Sequence, residues 1–170
     1  MNEVFAEIAK QENGEFEVID TKYSGGRGTR VFVSYYSLVI NYKGYCINVS
    51  YELGNHNLAK IEMQLQLGET IPEFLITNRS HYYRLFYRKA NILKVESPNN
   101  AFKKNLESLL ISTNLELLAR ENLFEPKIIT SLNEDNIKVL VTEFHLVFEN
   151  KKGVLYALIT FYKGIVDQLG

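Results

Sequence analysis

The chain has 170 residues, of which 46% are hydrophobic and 23% charged, with only three prolines; it can bury roughly two-thirds of its unfolded surface in one core, and nothing in its composition argues for disorder. Nineteen basic residues against twenty acidic ones leave a formal net charge of -1, so no global field draws the protein onto nucleic acid or an anionic membrane, and any such partner needs a local patch. The single cysteine, Cys46, excludes an intramolecular disulfide and a cysteine-rich zinc site.

The opening residues 1–10 place Val4, Phe5 and Ile8 on one helical face, with Asn2 as the expected cap and Asn13-Gly14 as the stop. Glu3 and Glu7 make this segment too acidic, and it is too short, for a signal peptide. Residues 16–21 alternate as a short strand, and residues 24–29, with glycine at 25, 26 and 28, read as a loop. Residues 30–40 are apolar or aromatic on both faces, which predicts a central strand covered on both sides. Asn41-Tyr42-Lys43-Gly44 has the chemistry of a type I turn followed by a left-handed glycine.

Two further strands complete a β-meander. Tyr45, Ile47, Val49, Tyr51 and Leu53 alternate with Cys46, Asn48, Ser50 and Glu52, and Ile61, Met63, Leu65 and Leu67 alternate with Lys60, Glu62, Gln64 and Gln66. Residues 74–76 predict another strand, residues 81–89 a short helix, and residues 92–95 an extended piece before Pro98. Asn99 or Asn100 caps a helix through Phe102, Leu106, Leu109 and Leu110, and Thr113 with Glu116 forms a capping box, so the run to Asn122 is one helix or two. Residues 137–148 alternate as one long strand or two. After the turn at 150–153, Leu155, Leu158, Ile159, Tyr162, Ile165, Val166 and Leu169 form the apolar stripe of a terminal helix. No window approaches the roughly eighteen consecutive apolar residues of a membrane span, and a soluble cytoplasmic protein is expected.

The strongest candidate for chemistry is residues 79–89, where Arg79, Arg84, Arg88 and Lys89 lie among Tyr82, Tyr83, Phe86 and Tyr87 without an acid. Guanidinium groups neutralise phosphates, and tyrosine rings offer stacking faces worth about 1 to 3 kcal/mol per base. Arg27 and Arg30 would join them if the fold brings the two segments together. The competing reading buries the aromatic rings and leaves the basic heads in water. Gly25-Gly26-Arg27-Gly28 lacks the helix that a phosphate loop opens, because a strand follows at Arg30. His56, His81 and His145 are too scattered for a metal site, and the acidic pairs Glu69/Glu73 and Glu134/Asp135 read as solvated. Neither a catalytic set, a metal nor a cofactor is expected.

Ile8-Ala9 before Gly14, Tyr42-Lys43-Gly44 in a hairpin, Pro72-x-Phe74-x-Ile76 and the closing amphipathic helix follow one another in an order that resembles widespread uncharacterised prokaryotic proteins. That group has no assigned activity to carry over. Some similar proteins carry membrane spans ahead of such a domain, which implies work at the inner face of a membrane and, here, an indirect membrane association at most.

The residues themselves predict one α+β domain spanning 1–170: an antiparallel sheet of β-meander plus C-terminal strands, largely residues 30–67 and 137–148, with packed helices including a C-terminal amphipathic one. Eleven tyrosines and ten phenylalanines without tryptophan suit half-buried sheet faces and protein interfaces. The expected function is a non-enzymatic binding or assembly module with a protein partner or a second copy. The alternative is a nucleic-acid or anionic-ligand binder using residues 79–89.

Overall fold

The computed structural model describes residues 1–24, 29–66, 71–80, 82, 91–122, 124–133 and 135–169. In chain order these form α1 (Asn2–Glu12), β1 (Glu15–Ser24), β2 (Arg30–Tyr42), β3 (Tyr45–Leu53), β4 (Leu58–Gln64), β5 (Leu75–Asn78), β6 (Leu93–Glu96), α2 (Asn100–Ser112), α3 (Leu115–Glu121), β7 (Lys127–Leu132), β8 (Lys138–His145) and α4 (Lys151–Asp167). The strands make one antiparallel sheet in the order β1-β2-β3-β4-β8-β7-β5-β6. Fold class is α+β, with an antiparallel sheet and a C-terminal helix, as the alternation and the terminal stripe predict.

Alternation decides which side is covered. On β3 Tyr45, Ile47, Val49 and Tyr51 are buried, on β4 Ala59, Ile61 and Met63, and on β8 Leu140, Thr142 and Phe144, with Val139 buried on the opposite face; the register sets all but Val139 side by side on one face. The helices pack there. Phe5 of α1 meets Tyr36 and Tyr51 at ring-centroid distances of 5.3 and 5.1 Å, and a further edge-to-face chain runs from Tyr51 through Phe144 to Phe124 and Phe148. From α4 the Tyr162 hydroxyl reaches the sheet itself, donating to the Ile61 carbonyl at 2.9 Å and lying 3.0 Å from Thr142 Oγ1. Each large apolar side chain buried in this layer stabilises by about 1.5 to 3 kcal/mol.

Several expectations need correction. The strand from Arg30 is second from the sheet edge, and its cover is incomplete: on the helix side Tyr36, Leu38 and Ile40 are buried but Phe32, near the far end, is 63% exposed, and on the other side Val33 is buried but Ser37 is exposed. Apolar residues on both faces of β2 therefore do not signify burial of both. The β2–β3 turn has positive φ at both Lys43 (48°) and Gly44 (84°), a type I′ turn, whose twist matches the strands it joins where a type I turn would splay them. The first helix begins at Asn2 itself, with Met1 as its cap residue and no side-chain capping bond. Residues 100–121 are two helices broken at Asn114, which has φ 62°; the capping box does not form, because Thr113 Oγ1 donates to the Leu109 carbonyl and Glu116 reaches elsewhere.

The sheet also extends beyond residues 30–67 and 137–148. Strand β7 was not expected at all, and the C-terminal strand stops at His145 rather than running to Phe148. The expected cap at Asn99 holds, its Oδ1 accepting from the Phe102 amide, whereas the expected turn at 150–153 is the start of the helix itself, with Asn150 Oδ1 accepting from the Gly153 amide as its cap. Of the loop expected at 24–29, Ser24 belongs to β1 and residues 25–28 lie outside the described residues, as do the helix expected at 81–89, apart from Tyr82, and Leu67. Among the described residues no helix is long and apolar enough to cross a membrane.

Candidate binding surface

With the described helices on one side, the opposite face of the sheet is built from the alternate residues of every strand. The register aligns Ile19, Tyr35, Glu52, Leu58 and His145 in one row across β1, β2, β3, β4 and β8, and Glu17, Ser37, Ser50, Lys60, Glu143 and Lys127 in the next. The two rows differ in chemistry from one end to the other. Over β4, β8 and β7 the charges alternate in sign, Lys60 opposite Glu143 and Glu143 opposite Lys127, with Lys60 also paired to Glu62.

Over β1 to β4 the first row carries Ile19, Tyr35 and Leu58 beside the polar second row. A groove of about 350 Å³ is lined by Glu17, Ile19, Tyr35, Ser37, Leu58 and Lys60 among others. Ile19 is 53% exposed, and Phe16, Tyr23 and Phe32 on the same β1–β2 hairpin are also exposed, as is Leu58 at the far side of the groove. The hairpin outruns its neighbour: β1 and β2 pair from Glu15 with Val39 out to Ser24 with Arg30, whereas β3 pairs with β2 only from Ser34 onward. Its outer part is thus a two-stranded ribbon with apolar groups on both faces.

Local bonds hold this end in shape. The Tyr23 and Tyr35 hydroxyls lie 3.2 Å apart across the ribbon, and the shared hydrogen bond, with desolvation behind it, pushes the Tyr35 phenol up to about 12. Ser34 Oγ donates to Asp20 at 2.6 Å, and Lys22 Nζ stands 5.2 Å from the Phe32 ring centroid. At the base of the ribbon Gly54 has φ +111° and a backbone so close that a Cβ would fall 2.1 Å from the Phe32 carbonyl oxygen, so only glycine fits there.

The basic aromatic candidates are distributed differently. Arg27, Arg84, Arg88 and Lys89 lie outside the described residues. Arg79 follows β5 and is engaged locally, its Nε donating to the Asn91 carbonyl at 3.0 Å and its amide to that of Ile92 at 2.8 Å; Tyr82 is 76% exposed. Arg30 is at the outer end of β2, five strands from β5, a separation of roughly 24 Å at the usual strand spacing. The fold does not bring Arg30 and Arg79 together. Of the histidines, His56 lies in the β3–β4 turn and His145 at the end of β8.

No protein family, curated protein or solved structure matches the chain. The surface must therefore be read from its own chemistry. Sequence alternation did not mark Ile19, Tyr35 and Leu58 as a surface, since residues 30–40 read as covered on both sides; the missing fact was which face lacked helices, and that depends on where α1, α2 and α4 dock.

Proposed function

We propose that this chain is a non-enzymatic binding or assembly module, working in the cytoplasm, that engages another protein through the β1–β4 half of the helix-free sheet face. The observation that carries the reading is the exposure of Ile19, Tyr23 and Leu58 on this face, with Phe16 and Phe32 exposed on the other side of the same β1–β2 hairpin, while Lys60, Glu143 and Lys127 alternate in sign over β4, β8 and β7. Scattered single apolar residues need no explanation, but a contiguous patch beside a shaped groove is the usual mark of an interaction site. Tyr23 and Tyr35 belong to it, and tyrosine suits protein interfaces, since its ring gives contact area and its hydroxyl tolerates water. An exposed free thiol at Cys46 fits a reducing compartment.

A photo-crosslinking side chain installed at Leu58, compared with one at Ile111 on α2, tests the reading in cell extract. Both positions are exposed. Capture of a defined protein from position 58 and not from 111 is the expected result. Equal capture from both contradicts it, and so does tight oligonucleotide binding that collapses as salt rises, which would instead favour the basic segment 79–89.

A further inference from the structure

We infer that the occupant of the β1 edge is a second copy of the same chain, paired antiparallel across a two-fold axis at Ile19; this deepens the binding-module reading and rests on it. The two edges of the sheet are unlike. Strand β6 is protected by its brevity, Leu93–Glu96, whereas β1 runs from Glu15 to Ser24, and among the described residues no other strand pairs with its outer side. A long open edge is a template for another strand.

The ladder shows which backbone groups are unpaired. Tyr42 and Tyr45 flank a two-residue type I′ turn and so exchange both hydrogen bonds; alternation then gives the even-numbered residues of β2 to β3 and the odd-numbered ones to β1. Val39, Ser37, Tyr35 and Val33 therefore bond Glu15, Glu17, Ile19 and Thr21, and Phe16, Val18, Asp20 and Lys22 point their N–H and C=O groups outward.

Self-pairing must keep each face of β1 on the same side, so only registers shifted by two are allowed. Centred on Asp20, the two Asp20 carboxylates oppose each other. Centred on Val18, Phe16 faces Asp20 of the other copy and Tyr23 faces nothing. Centred on Ile19, the whole run from Glu15 to Tyr23 is paired and every acid faces an uncharged residue: Glu15 meets Tyr23, Glu17 meets Thr21 and Asp20 meets Val18 of the second copy. Lys22, already over its own Phe32 ring, gains the exposed Phe16 of the second copy on the other side. On the helix-free face the row becomes Tyr35, Ile19, then Ile19 and Tyr35 of the second copy, which joins the two apolar patches into one.

The register is tested by cross-linking in a Cys46→Ser background. Ile19→Cys places two thiols at a non-hydrogen-bonded antiparallel pair, close enough for a disulfide; Glu17→Cys, equally exposed, puts its thiols opposite Thr21 and apart. Mild oxidation is expected to dimerise the first and not the second. Light scattering across a concentration series is expected to show a wild-type dimer that Val18→Pro, which removes one outward N–H from each copy, weakens at least about tenfold. A chain that stays monomeric, or cross-links equally from both positions, overturns the self-pairing inference. Crosslinking from Leu58 lies away from the edge and reports separately on the binding-module reading.

Discussion

The hydroxyl of Tyr162 is buried but satisfied by Thr142 and the Ile61 carbonyl, while that of Tyr51 is buried among Phe5 and Phe144 with no hydrogen-bond partner among the described residues. Burial pushes both phenols well above their ordinary range. The same substitution should therefore have opposite signs. Tyr51→Phe removes an unpaired polar atom and is expected to raise stability by about 1 kcal/mol; Tyr162→Phe strips partners from two buried groups and is expected to cost about 1 to 2 kcal/mol. Denaturant unfolding of the two variants checks both, and a loss of stability in Tyr51→Phe would contradict the assignment.

Tyr35 gives a pH-dependent prediction at the same scale. Its phenol titrates near 12 in the folded chain against an ordinary value of 10, chiefly through the bond with Tyr23. With the folded value above the unfolded one, its contribution to stability is complete below about pH 10 and is lost as pH rises toward 12. Ring-carbon resonances of isotope-labelled tyrosine should show this late titration, and Tyr23→Phe should bring it back toward 10. An unchanged Tyr35 titration in that variant would remove the cross-ribbon bond as its cause. None of this was legible in the sequence, because alternation tells which side of a strand a tyrosine faces and not what its hydroxyl meets.

At the scale of elements, the helix α3 is joined to strand β6 by one carboxylate. Glu116 accepts from the amides of Ile92 and Leu93, the latter at 3.0 Å, and lies 3.4 Å from Arg120 one turn on. Sequence spacing had assigned Glu116 to a local capping box with Thr113; the longer-range partners won because two backbone amides at the start of a strand need an acceptor and Thr113 finds its own within α2. Glu116→Ala is expected to cost about 2 to 4 kcal/mol and to speed hydrogen exchange at Ile92 and Leu93, with Glu116→Gln intermediate. Slow exchange in the alanine variant would mean the clamp is dispensable. Strand β7 escaped notice for a related reason: Ile128 and Ile129 are adjacent, one in the core and one on the open face, so a half-covered strand showed no clean alternation. The meander and the terminal helix were legible because their patterns are regular over several residues on one face.

For the whole molecule, a two-layer arrangement with an eight-stranded sheet leaves half the strand residues with no described helix above them. Over β4, β8 and β7 the charges on that face alternate across strands; on β1 and β2 Ile19, Tyr23 and Tyr35 stand in their place. Strand order has no local signature, so neither the edge position of β1 nor the separation of Arg30 from Arg79 could be read from spacing. The account's central claim is that these apolar residues serve a partner and not the core. Denaturant unfolding of an Ile19→Lys/Leu58→Lys double variant, set beside its association by light scattering and crosslinking, tests that claim most directly. Stability within about 1 kcal/mol of wild type together with lost association is the predicted result; a loss of several kcal/mol, or association unchanged, would contradict it.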